Sequence, residues 1–321
     1  MIRKLYLGLA LCLAMTVPAT AADYPDKPVR IVVPFPPGGT SDVLARIVAT
    51  GLSERMGQQF VVDNRPGASG VIGTSMVAKA EPDGYTLVFA TINTHGINAS
   101  LFPNLPYDPV KDFAPVTVVA NTPNVLMVHP SVPAKNLSEL IALAEAEPAK
   151  LNFGSTSLGG SPHMSGELFK MMAKVNIVHV PYKGGGPMLT DLIGGHIQMA
   201  FDNLPSSIGH IRSGDVRAIA VTTAERAPSA PDVPTMRESG LRDYEVAAWF
   251  GMLAPAGTPP EIVNRLQQTV REILQSPEGA KRLADLGAEP VGNTPAEFSK
   301  VIAYEVTRWR EVVQATGVKV E

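Results

Sequence analysis

Residues 29–42 read Val29-Arg30-Ile31-Val32-Val33-Pro34-Phe35-Pro36-Pro37-Gly38-Gly39-Thr40-Ser41-Asp42. Four of the first five residues are β-branched and predict a strand. Beyond Asp42, apolar residues recur at the spacing of one helix face: Val43, Leu44, Ile47 and Val48. A strand that passes through a glycine turn into a helix is the repeating unit of α/β folds, so this segment predicts an α/β protein.

The same alternation continues along the chain and predicts an α/β fold with largely parallel strands. The predicted strands are Val29–Val33, Thr86–Ala90, Val116–Val119, Val125–Val128, Ile177–Val180, Ile197–Phe201 and Val216–Val221. The predicted helices are Asp42–Met56, Gly70–Lys79, Leu137–Ala146, His163–Met172, Met188–Ile193, Pro260–Leu274, Pro277–Leu286 and Pro295–Thr316.

A second glycine pair repeats the first unit. A strand near Leu151–Phe153 leads into Gly159-Gly160-Ser161-Pro162-His163 and a helix. Thr40 and Ser161 are expected to cap the two helices, and the free amides at both helix N-termini form a site that suits an anion. The alternative is that both glycine loops only cap their helices.

A third loop, Val180–Pro187, contains three successive glycines, and Phe201-Asp202-Asn203 ends a later strand. Ligands of open α/β sheets bind beside strand ends, which makes Tyr182, Lys183, Asp202 and Asn203 candidate pocket residues. Three of these residues have another possible role: Tyr182 could pack on the sheet, Lys183 could be solvated, and Asp202 could cap the turn before Pro205.

The N-terminus predicts a signal peptide over residues 1–22. Arg3 and Lys4 precede an apolar run, Leu5–Val17, which is shorter than the roughly 20 residues of a membrane span, and small residues follow. Cys12 follows Leu11 rather than the small residue expected before a lipid-modified cysteine. We therefore expect secretion to the periplasm without a permanent membrane anchor.

The amino-acid composition limits the number of domains, the cysteine chemistry and the classes of partner. The chain is 45% apolar and 18% charged, and its length favours two domains. Removal of the signal peptide leaves no cysteine, which excludes disulfides and cysteine chemistry. It also leaves 25 basic against 30 acidic residues, a balance that argues against nucleic acid or an anionic membrane as partner.

An ordered set of motifs resembles the Bug family, the periplasmic receptors of tripartite tricarboxylate transporters. The motifs are Tyr24-Pro25-Asp26-Lys27-Pro28-Val29-Arg30, Pro34–Gly39, Val62-Asp63-Asn64-Arg65-Pro66-Gly67, Glu81-Pro82-Asp83-Gly84-Tyr85-Thr86, Val180–Gly184 and Phe201-Asp202-Asn203. The resemblance covers essentially the whole mature chain. It implies a two-lobed periplasmic-binding-protein fold, type II-like, with the ligand cleft between lobes, and it implies no enzymatic activity.

We expect the chain to cross between lobes at Asn121–Asn124 and within Val246–Leu253. Lobe one would contain residues 23–121 plus 249–321, and lobe two residues 122–248. The family's ligand loops fall on Pro37–Asp42 and Ser155–His163, and the strand ending at Ala90 would present Thr91, Asn93, Thr94 and His95 to the cleft.

The predicted ligand-binding residues are Pro37, Gly38, Gly39, Thr40, Ser41, Asp42, Thr91, Asn93, His95, Ser155, Thr156, Gly159, Gly160, Ser161, His163, Tyr182, Lys183, Gly184 and Asp202. The expected ligand is a small carboxylate: a di- or tricarboxylate, an acidic amino acid or an aromatic acid. The expected partners are the integral membrane subunits of a transporter, which the receptor contacts transiently as a monomer.

Two alternatives to a transport receptor stay open. Ser155, Ser157 and Ser161 lie near His163 in sequence, which allows a periplasmic hydrolase, although no Gly-Xaa-Ser-Xaa-Gly elbow is present. A receptor that serves a signalling partner is the other alternative. No metal or cofactor is expected, because the histidines lack the short spacing of a metal site.

Overall fold

The computed structural model describes residues 24–318. The predicted signal peptide lies outside the described residues. Within residues 24–318, none of the helices combines the length and the apolar character that a membrane span requires.

Strands and helices alternate as the sequence predicts. The strands are β1 (Val29–Val33), β2 (Phe60–Asn64), β3 (Thr86–Thr91), β4 (Phe113–Val128), β5 (Asn152–Ser155), β6 (Val178–Pro181), β7 (Met199–Asn203), β8 (Arg217–Val221), β9 (Ala247–Pro255) and β10 (Glu289–Pro290). The helices are α1 (Thr40–Met56), α2 (Val71–Ala78), α3 (Asn98–Leu101), α4 (Leu137–Ala146), α5 (Ser161–Ala173), α6 (Gly185–Ile193), α7 (Leu204–Ser213), α8 (Pro260–Gln275), α9 (Pro277–Asp285) and α10 (Pro295–Thr316). A short 3-10 turn (Ala68–Gly70) and a π-helical turn (Asn93–Ile97) complete the described elements.

The strands form one sheet in the order β2-β1-β3-β9-β4-β7-β5-β6, and β8 and β10 also pair with β4. At one end of the sheet, β1 is parallel to its neighbours β2 and β3. At the other end, β5 is parallel to its neighbours β6 and β7. All pairs of β4 and β9 are antiparallel. The expectation of largely parallel strands is therefore wrong at the centre of the sheet, where β4 and β9 run side by side in opposite directions.

Strand β4 links the two sides of the sheet without a break. Its residues Phe113–Pro123 pair with β9, whereas its residues from Asn124 onward pair with β7 and β8. The two predicted strands Val116–Val119 and Val125–Val128 are parts of this one strand, because it continues through Pro123. Pro123 has no N–H to pair, and it lies where the strand changes neighbours, a position at which a missing donor is tolerated. We use the name β1 side for β1, β2, β3, β9, β10 and the first part of β4, up to Pro123. We use the name β5 side for the second part of β4, from Asn124 onward, with β5, β6, β7 and β8.

The core follows the apolar pattern of the elements. In β1 every residue except Arg30 is buried, and Leu44, Val48 and Leu52 of α1 are fully buried against the sheet. Gly51 on the same helix faces Ile273 of α8 so closely that a Cβ at residue 51 would approach the isoleucine side chain to 2.8 Å. The absence of a side chain at residue 51 thus lets these two helices pack in contact.

Candidate functional site

A cavity lies between the loops that follow β1 and β3 and those that follow β5, β6 and β7. The empty space between its walls, including the open mouth, is about 540 Å³. Many residues on its wall are among the sequence candidates: Gly39, Thr40, Ser41, Thr91, Asn93, Thr156, Gly160, Ser161, Gly184, Asp202 and Asn203. The strand-to-helix loops thus bring together residues up to 164 positions apart in sequence.

Both glycine loops end in helices that start at the cavity wall. Gly39 is the N-cap of α1 and Gly160 is the N-cap of α5, and neither end has a side-chain cap. The prediction that Thr40 and Ser161 cap these helices is wrong, because each is the first helical residue instead. Without a side-chain acceptor, the first amides of both helices keep their hydrogens available, and the positive ends of both helix dipoles face the cavity.

The rest of the first loop lies behind the wall. Asp42 accepts hydrogen bonds from the amide of Gly38 (3.0 Å), from Arg46 and from Asn64. Burial raises the pKa of Asp42, but these hydrogen bonds outweigh burial and hold the pKa below its usual value. Pro37, Gly38 and Asp42 are not on the cavity wall, and Asp42 fixes the shape of the loop from outside.

The second loop is supported by a pair of stacked histidines. Gly159 donates its amide to Nδ1 of His163 (2.9 Å), which places the ring hydrogen of His163 on Nε2, facing Glu167 at 3.7 Å. The ring of His163 stacks on that of His179 with centroids 3.9 Å apart. Burial lowers the pKa of His179 to about 3. Gly159 and His163 are therefore outside the wall and hold the loop in place.

Ser155 is also outside the wall. Its Oγ lies 2.7 Å from Nε2 of His179, a distance that a hydrolase would require between nucleophile and base. Ser155 is fully buried, however, and the cavity does not reach it. The pair therefore has no access to a substrate in this cavity.

His95 does not face the cleft, so that prediction is wrong. The π-helical turn after β3 carries His95 into the core, where its ring lies edge-on to Phe113 with centroids 4.6 Å apart. Complete burial lowers the pKa of His95 to about 3. Thr94 is fully buried beside it, whereas Thr91 and Asn93 reach the wall.

Asp202 lies on the wall at the carboxyl end of β7 and is only 1% exposed. Its Oδ2 accepts hydrogen bonds from Ser206 (2.7 Å) and Ser207 (2.6 Å), and its Oδ1 accepts one from the amide of Asn203 (2.8 Å). Burial raises the pKa of Asp202 to about 6, although these three hydrogen bonds act in the opposite direction.

Tyr182 and Lys183 line a neighbouring groove rather than the cavity. The groove runs past Pro34–Pro36, residues 66–70 and residues 156–158, and it shares Phe35, Pro36, Thr156 and Ser157 with the cavity. Tyr182 donates its hydroxyl to Asp191 (2.7 Å), and burial raises the pKa of Tyr182 to about 12. Of the third glycine loop, Gly184 and Gly185 reach the cavity wall.

Sequence reasoning did not name several wall residues individually, although Ser157 and Pro162 lie within the predicted ligand loop Ser155–His163. These are Phe35, Pro36, Ile92, Ser157, Pro162, Gly185, Ser206, Ala248 and Phe250. Ser206 belongs to α7, a helix that the sequence pattern did not predict, and Ala248 and Phe250 belong to β9 at the centre of the sheet. The Asn-Leu-Pro sequence at 203–205 is the signal that could have marked the start of α7, because proline favours the first helical turn.

The wall is rich in neutral hydrogen-bonding groups. Its hydroxyls belong to Thr40, Ser41, Thr91, Thr156, Ser157, Ser161 and Ser206, and its side-chain amides to Asn93 and Asn203. In the described chain, Asp202 is the only ionisable side chain on this wall. Within residues 24–318, no group of three or more His, Cys, Asp or Glu side chains is arranged to hold a metal ion.

Two hydrogen bonds cross the cleft. Thr40 of the β1 side lies 3.2 Å from the hydroxyl of Ser206 on the β5 side, and Ser69 donates to the carbonyl of Leu158 (2.8 Å). The two sides therefore enclose the cavity in direct contact. A cleft of this kind can surround a small molecule and hold it by hydrogen bonds, which defines the class as a two-lobed solute-binding protein.

Known proteins place the chain within that class. Residues 44–318 match the family described as the tripartite tricarboxylate transporter family receptor. BugT of Bordetella pertussis is 40% identical over 308 residues, which cover 96% of this chain and 94% of that protein. The structure of R. palustris Rpa4515 with adipate is 44% identical, covers 92% of this chain and 99% of that one, and gives a TM-score of 0.91.

A third similar structure is MatC (Rpa3494) from Rhodopseudomonas palustris with bound malate. It is 36% identical, covers 90% of this chain and all of that one, and gives a TM-score of 0.85. The chain belongs to the tripartite tricarboxylate transporter receptor family, as its motifs indicate, and it has that family's two-lobed periplasmic-binding-protein fold. The members compared are solute-binding proteins rather than enzymes.

Proposed function

We propose that this protein binds a small carboxylate in the cavity and delivers it to the integral membrane subunits of a tripartite tricarboxylate transporter. The observation that carries the proposal is the pair of uncapped helix N-termini, α1 and α5, on opposite sides of one cavity. Each offers amide donors and a positive dipole end to a carboxylate. The two related structures contain adipate and malate, both of them dicarboxylates.

Neutral donors fit a protein that must release its cargo. The hydroxyls and amides on this wall give hydrogen bonds of moderate strength, whereas several desolvated arginines would hold an anion more tightly. We therefore propose reversible binding through Gly39, Thr40, Ser41, Gly160 and Ser161. The residues behind these loops, such as Asp42 and His163, contribute by fixing loop shape.

The lobe assignment is also part of this proposal. Lobe one would contain residues 23–121 plus 249–321 and lobe two residues 122–248. The change of β4 neighbours between Pro123 and Asn124 and the start of β9 at Ala247 support boundaries close to these. We further propose that the chain acts in the periplasm as a monomer after removal of residues 1–22.

A thermal-shift series tests the carboxylate proposal. The protein is unfolded, dialysed and refolded to remove retained ligand, and succinate, malate, adipate and citrate are compared with their methyl esters. A ligand present at one hundred times its Kd stabilises the native state by about 2.7 kcal/mol, a shift on the order of 4 °C for a chain of this size. Acids should give this shift and esters should not, because esters lack the negative charge that helix N-termini favour.

Two outcomes would contradict the proposal: equal shifts with acids and esters, or no shift with any acid tested. Mass spectrometry of the recovered ligand provides the control for enzymatic activity, because a receptor returns its ligand unchanged. Uptake of the labelled acid by vesicles that contain the membrane subunits, with and without this protein, separates transport from a signalling role.

A further inference from the structure

Asp202 gives the cavity an unexpected charge. A buried carboxylate on the wall of an anion site would repel the ligand if it stayed ionised. In residues 24–318, no lysine, arginine or histidine lies on this wall to compensate it. His210 is the titratable group whose charge acts on Asp202, and it is itself held by Asp215 at 3.0 Å.

Charged groups on the elements packed around Asp202 have partners of their own. The pairs are Asp42 with Arg46 on α1, His163 with Glu167 on α5, and Asp191 with Tyr182 beside α6. Asp202 therefore faces the cavity with three neutral donors as its contacts: Asn203, Ser206 and Ser207.

A chain of two hydroxyls connects this carboxylate with the N-terminus of α1. Oδ2 of Asp202 lies 2.7 Å from Oγ of Ser206, and Oγ of Ser206 lies 3.2 Å from Oγ1 of Thr40. An ionised carboxylate can only accept, so Ser206 donates to Asp202 and Thr40 donates to Ser206. Thr40 then presents lone pairs to the cavity beside the amides of α1, which is the wrong polarity for a carboxylate.

Protonation of Asp202 allows the opposite direction. With its hydrogen on Oδ2, Asp202 donates to Ser206, and the hydroxyl hydrogen of Ser206 is released from the carboxylate. Two acceptors are then within its reach, the carbonyl of Asn203 (2.9 Å) and Oγ1 of Thr40 (3.2 Å). When Ser206 donates to Thr40, Thr40 has its own hydrogen free for the ligand. Only rotations about C–O bonds are needed in Ser206 and Thr40, and Ser207 and the amide of Asn203 can keep their hydrogen bonds to the carboxyl group.

We infer that Asp202 takes up one proton from water when a carboxylate enters the cavity, and that Ser206 and Thr40 then turn their hydroxyl hydrogens towards the ligand. The inference rests on the proposed function, because it needs an anionic ligand. It makes Asp202 a positioning residue that acts on the ligand through Ser206 and Thr40.

Protonation of Asp202 requires little free energy near neutral pH. Burial raises the pKa of Asp202 to about 6, and an anion entering the cavity raises it further because it disfavours a second negative charge. If the bound state is fully protonated, the observed affinity follows the protonated fraction of the free protein. The affinity is then roughly eightfold higher at pH 6.5 than at pH 7.5.

Calorimetry of the acid with the largest thermal shift tests the inference. Titrations at pH 7.5 in phosphate and in Tris, whose ionisation enthalpies differ, report the number of protons taken up. We expect close to one proton per ligand in the wild type and close to none in Asp202→Asn. The side-chain amide of this variant can donate to Ser206 as the protonated acid does. The variant should therefore bind at pH 7.5 at least as tightly as the wild type, and its affinity should be the same at pH 6.5 as at pH 7.5.

Asp285→Asn is the matched control, because it removes one exposed carboxylate from α9 outside the cavity. It should keep the proton uptake and the pH dependence of the wild type. Binding without proton uptake in the wild type overturns the inference and leaves the proposed function intact. A loss of affinity in Asp202→Asn at both pH values also overturns it, since Asp202 would then hold a hydroxyl or ammonium group of the ligand. Failure of all acids to bind contradicts the proposed function itself.

A double-mutant cycle tests the hydroxyl chain. If Thr40 acts through Ser206, then Ser206→Ala, Thr40→Val and the double variant should lose similar affinity at pH 6.5. Losses that add fully in the double variant would show independent contacts and overturn the relay.

Discussion

The substitution Gly39→Val separates the binding role of the first glycine loop from its structural role. Gly39 has an extended backbone (φ −83°, ψ 170°) that valine can adopt, and a Cβ at this position would have no heavy atom within 4 Å. Because Gly39 is on the cavity wall, the new side chain would occupy the space beside the first amides of α1. The protein should fold normally and lose its ligand.

The magnitude follows from the contacts that valine would block. A hydrogen bond to a charged group contributes about 1.5–3 kcal/mol, so two lost amide contacts weaken binding by about 3–6 kcal/mol, which is a hundredfold or more in Kd. The effect on folding is limited to a less favourable N-cap, below about 1 kcal/mol. Calorimetric titration measures the affinity, and urea unfolding measures the stability.

Gly186→Val is the matched control. Gly186 also lies at the start of a helix and also has no heavy atom within 4 Å of a built Cβ, but it is exposed and outside the cavity wall. It should bind with wild-type affinity. Gly160→Val is less informative, because its Cβ would approach Oγ of Ser157 to 2.2 Å and would disturb the second loop. Wild-type affinity in Gly39→Val would refute the assignment of this loop to the ligand.

Further measurements concern stability and motion. Tyr244 donates its buried hydroxyl to the carbonyl of Ser165 (2.6 Å), so Tyr244→Phe should lower the free energy of unfolding by about 1–2 kcal/mol in urea, whereas Tyr304→Phe, at a 64% exposed position, should not. Burial lowers the pKa of His95 to about 3, so below pH 6.5 the unfolded chain binds a proton that the native chain excludes. The free energy of unfolding should therefore fall by about 1.4 kcal/mol per pH unit as the pH decreases towards 3. The variant His95→Phe should lack this part of the pH dependence. Saturating ligand should favour the closed cleft and reduce the radius of gyration in small-angle scattering; an unchanged curve at calorimetric saturation would count against closure.

The sequence was most informative where local periodicity decides the structure. Strand β1 and helix α4 have their predicted bounds, and α10 also begins and ends where the proline and apolar pattern places it. The glycine loops could be assigned to the cavity because a strand, a glycine pair and a helix fix where the helix N-terminus points. These features depend on residues that are neighbours in the chain.

Contacts between distant segments could not be read in the same way. His95 follows a predicted strand end, but a π-helical turn directs it into the core beside Phe113. His179 lies 2.7 Å from Ser155, whereas proximity in sequence had suggested His163 as the histidine of interest. The contact of Thr40 with Ser206 joins residues 166 positions apart, and only the tertiary fold brings them together.

The position of β9 in the sheet has a consequence for how the chain folds during synthesis. β9 lies between β3 and β4, although both of those strands are made long before it. The interval from Val128 to Ala247 is roughly 120 residues, which at 5–20 residues per second corresponds to about 6–24 s of translation. Throughout that time β3 and the first part of β4 lack β9 as their common neighbour. By contrast, β5 can already pair with β7, and both β7 and β8 can pair with the second part of β4. The β5 side of the sheet can therefore form first, whereas the β1 side lacks its central strand until residue 255 has been made.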